Sequence, residues 1–360
     1  MRLSTTFVAL AACVYSTSAQ TLAAATSTSG SLSGLKYTKV GSTGTYNQVT
    51  NMIPGNFPNC DANPSCITAP KQISGNLAPF NEEMTFNFRG PMNLFNIAVY
   101  QPDAAGATWN QVSSWAAGQA PNNLVFMNNK GGGASGEFSI CHGNSQSFAN
   151  GAFTDAVATA NAEIYPGNLP GGAEVNIMTG ETCASRACDG FSRGTANHGW
   201  VDSKLLVVSF NMPPSADASQ VPAIWALNAQ VARTAEYGCN CRGVGSPGGC
   251  GELDILEVLL GADADRGISE IYAVKGATGS GSADFFARPT GDRVTYGVLF
   301  DVASDQIAIQ LFDAFDFAQG SVARGAVDAI LNAPALEVSF ATGARKRGVV
   351  GGKPRGNHMH

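Results

Sequence analysis

The chain has 360 residues, a net charge of −6 and only 13% charged residues. A length of this order suits one large domain or two small ones. The acidic balance, with no basic run in the interior of the chain, excludes a typical nucleic-acid-binding surface, so we expect no nucleic-acid partner.

The first residues have the order of a secretory signal peptide. Arg2 precedes an apolar stretch from about Phe7 to Tyr15, and small residues follow as far as Ala19. The apolar stretch is too short to span a bilayer. We therefore expect residues 1–19 to be removed and the mature protein to be secreted, either extracellular or in a cell wall, without a membrane partner.

The cysteines are typical of an oxidising compartment. Nine cysteines become eight when Cys13 leaves with the signal peptide, and an even number in a secreted chain favours disulfides. Short spacings predict the local bridges Cys60–Cys66 and Cys183–Cys188. The other four cysteines would then pair among themselves: Cys141, Cys239, Cys241 and Cys250. A zinc site is less favoured because the cluster lacks a second well-spaced ligand pair.

Composition divides the rest of the chain into four parts. Residues 20–34 are small and polar, which predicts a flexible linker. Residues 35–102 mix Asn, Gly, Pro and aromatic residues, which suggests a small, loop-rich β module. We expect residues 103–343 to form one large domain and the basic, Gly-rich residues 344–360 to form a disordered tail.

Short apolar runs within the large domain predict β-strands. The runs LLVVSF (205–210), VTYGVLF (294–300) and IAIQLF (307–312) have Gly, Pro, Asp or Asn nearby. Strands and turns at this spacing are typical of a sandwich or barrel. One short helix is predicted over residues 326–333. The fold class predicted from the sequence is an all-β sandwich.

The run CGELDILE (250–257) places three acids in an otherwise apolar strand. Alternation puts Glu252 and Asp254 on one face, but Glu257 comes one residue late. A β-bulge would restore the register, and bulges are common beside active sites. With a bulge, all three carboxylates project from one surface; without one, they are ordinary acids on an exposed strand.

Paired carboxylates are what a retaining glycosidase requires. One carboxylate acts as the nucleophile and the other as acid and then base, about 5–5.5 Å apart. Asp254, between the two glutamates, would help to hold them in different protonation states. The α-carbons of Glu252 and Glu257 would lie roughly 13 Å apart on a regular strand, so the side chains must lean together.

Several residues near the acids are candidate sugar contacts. Trp225 and Asn228 lie in PAIWALN (222–228), and an indole ring suits the flat C–H face of a sugar. Trp225 is equally compatible with a core position. His198 and Trp200, in NHGW, would line the same cleft or serve the core.

The segment PAIWALN…GELDILEVL resembles the active-site region of glycoside hydrolase family 16. The longer block over residues 222–259 is similar to a fungal and oomycete family of cell-wall proteins related to family 16, with further similarity at residues 35–52, 128–139, 143–148 and 284–292. The resemblance implies a β-jelly-roll domain that acts on β-1,3-glucan. It also implies that Glu252 is the nucleophile, Asp254 the helper and Glu257 the acid/base.

Two departures from family 16 concern substrate positioning. The loop between Cys241 and Cys250 is expanded and Gly-rich, and residues 268–282 contain no histidine where family 16 enzymes often have one.

Together these patterns predict a secreted, monomeric endo-acting β-1,3-glucanase that works on wall polysaccharide. It would need neither a metal nor an organic cofactor, because the carboxylates supply the chemistry. Two alternatives remain open at this point. One is a glucan transglycosylase that uses the same covalent intermediate, and the other is a non-catalytic glucan-binding wall protein.

Overall fold

The computed structural model describes residues 31–53, 65–132, 141–245 and 249–341. The expected signal peptide over residues 1–19 lies outside these ranges, as do the expected tail over residues 344–360 and most of the linker. The end of that linker joins the fold, since the Leu32 N–H donates to the carbonyl of Phe285.

β-Strands account for nearly all regular structure in the described residues. In chain order they are β1 (Gly34–Thr38), β2 (Gly44–Ile53), β3 (Ser65–Ile73), β4 (Met84–Arg89), β5 (Met92–Pro102), β6 (Thr108–Ala116), β7 (Val125–Asn128), β8 (Ser147–Ala149), β9 (Ala156–Val157), β10 (Asn168–Leu169), β11 (Glu174–Met178), β12 (Lys204–Asn211), β13 (Ala223–Asn228), β14 (Glu252–Val258), β15 (Arg266–Ala273), β16 (Gly276–Gly279), β17 (Phe286–Ala287), β18 (Val294–Asp301), β19 (Gln306–Phe312), β20 (Ser321–Ala323) and β21 (Leu336–Ser339). Two short helices are α1 (Ala229–Thr234) and α2 (Arg324–Asn332), and a 3-10 turn covers Gly261–Asp263. The all-β fold class is confirmed, and α2 confirms the predicted helix.

The strands form two large sheets. The nine-stranded sheet has the order β20-β6-β5-β12-β18-β19-β1-β21, with β10 paired to β5. The ten-stranded sheet has the order β16-β15-β14-β13-β4-β11-β7-β8-β9, with β17 paired to β15. Among the named strands, pairing is antiparallel except between β1 and β21.

The core lies between the two sheets. Phe86 and Phe88 of β4 belong to one buried cluster with Leu206 and Val208 of β12. On its other side, β12 buries Leu205 and Val207 beneath α2. A strand covered on both faces reads as a continuous apolar run, which is why LLVVSF shows no alternation. The sandwich is therefore confirmed, and the jelly-roll connectivity stays a prediction.

Residues 35–102, predicted as a small β module, supply strands to both large sheets. β1 and β5 lie in the nine-stranded sheet and β4 lies in the middle of the ten-stranded sheet, so this segment contributes to both layers of the core. The expected boundary at residue 102 falls between β5 and β6, which pair with each other. Among the named strands, only β2 and β3 stand outside the two large sheets, where they pair with each other. Mixed composition indicated loops here but gave no sign of the strand pairing.

Disulfides attach the hairpin and the loop before β14 to the sandwich. Cys66 of β3 bonds to Cys239, 173 residues away, so the predicted Cys60–Cys66 bridge is wrong. Cys183–Cys188 is confirmed. Cys241 bonds to Cys250 within the expected group of four, but Cys239 pairs outside that group, so the four do not pair only among themselves. The prediction paired cysteines that are close in sequence, whereas β3 and the Cys239 loop come together only in the folded chain.

No helix in the described part of the chain is long and apolar enough to cross a lipid bilayer.

Candidate active site

The three acids of β14 lie on one face of the ten-stranded sheet. Pairing with β15 shifts register between Asp254 and Glu257, which is the predicted β-bulge. Ile255 and Leu256, the two residues inside the bulge, both point into the core between the sheets. The carboxylates are only partly buried on the outer face, the one turned away from the nine-stranded sheet. The bulge therefore brings Glu257 to the same face as Glu252 and Asp254.

Arg242 holds Glu252 through two hydrogen bonds. Its Nε donates to Glu252 Oε2 at 3.0 Å, and its Nη2 donates to Oε1. Such a bidentate pair fixes the plane of the carboxylate as well as its charge. Arg242 also donates weakly to the backbone carbonyl of Glu236, so the guanidinium bridges its own loop and the strand.

Arg89 of β4 plays a comparable part for Glu257. Its Nη2 lies 3.1 Å from Glu257 Oε1, and its Nη1 lies 3.4 Å from Glu174 of β11. Its Nε donates to the carbonyl of Val221 at 2.7 Å. The guanidinium also lies 5.6 Å from the ring centre of Trp225, within cation–π range. The two glutamates are thus oriented by different arginines.

Asp254 lies between the two glutamates and is the acid whose protonation is most altered. Burial raises its pKa well above the ordinary value, and the negative charges of Glu252 and Glu257 raise it further, while Arg242 opposes them. Its carboxylate oxygen lies within 4.8 Å of those of Glu257 and Glu270. Carboxylates this close repel each other when all are ionised, so sharing a proton stabilises the group.

Two groups of described residues have metal-like spacing. The first is Asp254, Glu257 and Glu270, which belongs to the acid cluster itself. The second is Cys183, Cys188 and His198. In the second group the two sulfur atoms bond to each other, so neither is a free thiolate for a metal.

Glu236 is a part of the site that the sequence did not reveal. It is 3% exposed, and it accepts hydrogen bonds from Trp225 Nε1 at 3.2 Å and Asn129 Nδ2 at 2.7 Å. Burial raises its pKa to about 7, with a further contribution from Glu174. A lone acid in a Cys- and Gly-rich loop carries no pattern that would have marked it.

Two tyrosine–carboxylate pairs flank the acids on opposite sides. Tyr272 donates to Glu270 at 2.6 Å on the β15 side, and Tyr237 donates to Glu174 at 2.6 Å on the β11 side. Tyr237 is 60% exposed. These rings, unlike the tryptophans singled out from the sequence, offer accessible aromatic surface beside the acids.

Of the predicted sugar contacts, only Trp225 is next to the acids. It is opposite Asp254 in the strand pairing but is 4% exposed, so it packs beside the acids and offers little surface to a sugar. Asn228 is fully buried, where it caps α1 and donates to Glu82. Both residues are placed by β13, which runs alongside β14.

The expectation that Trp200 and His198 line the cleft is corrected. Trp200 is 1% exposed, packs on Phe86 in the core and donates to Ser113. His198 is also buried, with Nδ1 2.6 Å from Glu83 and Nε2 3.0 Å from the carbonyl of Arg186. Their positions between a turn and a strand did not reveal which face they occupy.

Comparison with known proteins identifies two matching family models. The C-terminal model of cell wall protein YJL171C/Tos1 matches residues 107–330, and its N-terminal model matches residues 33–102. No solved structure matches the chain.

Three fungal relatives carry the name probable circularly permuted 1,3-beta-glucanase. The Schizosaccharomyces pombe protein is 36% identical over 215 residues, 56% of this chain and 41% of the relative. The Saccharomyces cerevisiae protein TOS1 is 28% identical over 408 aligned positions, 78% of this chain and 86% of the relative. The Candida albicans TOS1 is 34% identical over 226 residues, 58% of this chain and 46% of the relative. The matches thus span less than half of the first and third relatives.

Proposed function

This chain belongs to the YJL171C/Tos1 family of cell wall proteins, and on that premise we propose that it is a retaining glycoside hydrolase acting on β-1,3-glucan. The relatives' names supply the substrate. The observation that carries the mechanism is the bulge that turns Glu252, Asp254 and Glu257 to one face. The family supports a cell-wall location, and secretion through residues 1–19 is part of the proposal.

In the first step, a carboxylate oxygen of Glu252 attacks the anomeric carbon. The new Glu252–C1 bond forms as the glycosidic C–O bond breaks, and Glu257 gives its proton to the departing oxygen. Arg242 occupies one side of the Glu252 carboxylate and holds its plane fixed. A carboxylate has about four lone-pair sites, so two hydrogen bonds leave it able to attack.

In the second step, water attacks C1 and displaces Glu252. Glu257 removes a proton from the water, the oxygen bonds to C1, and Glu252 leaves as a carboxylate, so the configuration at C1 is retained. Glu257 thereby regains the proton that it gave up in the first step, so the cycle closes without another proton source. Protonated Asp254, with an oxygen within 4.8 Å of Glu257, can exchange a proton with it between turnovers.

The test is to replace each glutamate by its uncharged isostere. Glu252→Gln and Glu257→Gln should each reduce release of reducing ends from a linear β-1,3-glucan by a factor of about 10³ or more. Asp265→Asn is the matched control, because Asp265 is 77% exposed and is not one of the acids of β14. Normal turnover in either glutamine variant contradicts the assigned roles.

Sizing the products of a defined oligosaccharide separates the alternatives. Fragments shorter than the input indicate hydrolysis, whereas chains longer than the input indicate transfer to a sugar hydroxyl. Binding of the polymer without any product would indicate a non-catalytic wall protein.

A further inference from the structure

A recess of about 460 Å³ lies on the side of the sandwich opposite the acids. Its floor is formed by Asn96, Ser209 and Thr295, which are register partners on β5, β12 and β18. Their neighbours Ile97, Val208 and Tyr296 point into the core between the sheets. Alternation therefore turns the three polar side chains outward from the nine-stranded sheet. We call this feature the outer recess.

The floor of the outer recess offers polar groups that the fold does not use. Asn96, Ser209 and Thr295 line it, yet their side chains make no hydrogen bond within the described residues. By contrast, Asn93, which also lies on β5, bonds through its side chain to Asn211 and Asn168. One amide and two hydroxyl groups are thus left to bind a ligand.

Aromatic rings form the wall of the outer recess. Phe312 stacks on Phe315 with ring centres 5.9 Å apart, and Phe317 meets Phe315 edge-on at 5.0 Å. The Phe312 ring occupies the space above Gly297, where a Cβ would lie 2.2 Å from it. Phe315 and Phe317 remain partly accessible.

The wall is held in place before any ligand arrives. Gln111 Nε2 donates to the carbonyl of Phe317 at 3.1 Å, and the Tyr100 hydroxyl donates to the carbonyl of Gln319 at 3.0 Å. A pre-formed recess avoids part of the ordering cost of binding.

We propose that the outer recess is a second, non-catalytic binding site for a neutral saccharide chain. Half-accessible phenylalanine rings suit the C–H faces of pyranose rings, and an amide with two hydroxyls suits their hydroxyl groups. The rim carries one cation and one anion, Arg293 and Asp313, so it offers no net charge for an ionic ligand. The volume lies within the range of about 300–1,000 Å³ that is typical of ligand sites.

A peptide fits this place less well. β5, β12 and β18 are paired on both sides, so no free strand edge can take an added strand. The choice of β-1,3-glucan as the saccharide rests on the proposed function. With glucan at both faces, the enzyme would hold one wall chain at the outer recess while the acids act on another.

The experiment measures retention on insoluble β-1,3-glucan in a Glu252→Gln background, which stops cleavage of the probe. Asn96→Ala should weaken retention about fivefold, the change expected for one lost hydrogen bond. Phe317→Ala should weaken retention by a similar factor. Thr295→Arg fills the recess without removing its wall and should abolish the part of the retention that depends on the recess. Asn110→Ala, an exposed asparagine on β6 of the same sheet, is the matched control.

The same recess substitutions in the otherwise natural chain provide the second readout. Cleavage of a soluble β-1,3-linked hexasaccharide should stay within about twofold of the natural protein, because the recess and the acids lie on opposite faces. Equal retention of all three recess variants, or no retention of the Glu252→Gln parent, overturns the proposal even if the natural protein cleaves glucan. Weakened retention together with an absence of any cleavage supports the outer recess and contradicts the proposed function instead.

Discussion

Arg242 and Glu252 form a bidentate ion pair, and the residue before Arg242 is bonded to the residue two before Glu252 by the Cys241–Cys250 disulfide. The segment that orients the proposed nucleophile is therefore tied covalently to the start of the strand that carries it. Cys239, two residues before Cys241, bonds to Cys66 and attaches the same segment to the β2–β3 hairpin.

Replacing Arg242 should therefore lower turnover more than binding. Arg242→Gln removes the fork that fixes the Glu252 carboxylate, and a misplacement of about 1 Å can cost about 10²-fold in rate. The turnover of Arg242→Lys should lie between that of the natural chain and that of Arg242→Gln, because lysine keeps the charge but loses the bidentate geometry. Steady-state kinetics on a linear glucan should show the loss in kcat with little change in KM. An unchanged kcat in Arg242→Gln would show that the pair is structural only.

The two short disulfides allow the positioning effect to be separated from stability. Cys241→Ser/Cys250→Ser and Cys183→Ser/Cys188→Ser each open a short loop, with sequence separations of 9 and 5. Both double variants should lower the free energy of unfolding by about 2–3 kcal/mol. Only the first should also lower kcat, because only that loop carries Arg242. Equal effects on kcat would mean that activity follows stability alone.

The sequence predicted the parts of the site that follow from local pattern. Glu257 breaks the alternation of β14 by one residue, and this alone indicated the bulge. Arg242, Arg89 and Glu236 escaped prediction because each reaches the acids from another loop or strand. The interpretation of Trp200 as a cleft residue failed for a related reason, since nearness in sequence to a functional strand does not fix which face a side chain occupies.

For the fold, too, the sequence predicted what local patterns record and missed what depends on distant strand pairings. The continuous apolar runs of β12, β18 and β19 identified buried strands, and Gly- and Pro-rich stretches identified the turns. The placement of β4 between β13 and β11 depends on pairings across more than 80 residues, and no local pattern records these. The sequence likewise did not show that residues 35–102 supply strands to both large sheets.

Glu236→Gln should change how stability depends on pH. Burial raises the Glu236 pKa from 4.5 to about 7, so the folded state binds its proton over a pH range in which the unfolded state has released it. The stability of the natural chain should therefore fall as the pH rises from about 4.5 to 7. Glutamine cannot ionise, so this contribution should disappear, although it keeps only one of the two acceptors for Trp225 and Asn129.

Denaturant unfolding at pH 4.5 and pH 7.5 measures this difference. The variant should lose less stability across the interval than the natural chain, by roughly 1–3 kcal/mol. Glu163→Gln, another described glutamate outside the acid site, should leave the difference unchanged. A parallel response of Glu236→Gln and the natural chain would show that folding does not raise the pKa of Glu236.

Asp254→Asn should make the protein more stable at neutral pH and less active. Burial beside Glu252 and Glu257 raises the Asp254 pKa well above its ordinary value, so unfolding near pH 7 releases a proton and is favoured. Asparagine removes that contribution. The gain in the free energy of unfolding should be absent at about pH 3, below the ordinary aspartate pKa, and should grow as the pH rises. Turnover should fall, because asparagine can neither hold nor pass a proton to Glu257. Lower stability at pH 7 together with normal turnover would show that Asp254 is an ionised structural acid. Asp265→Asn is the exposed control for both measurements.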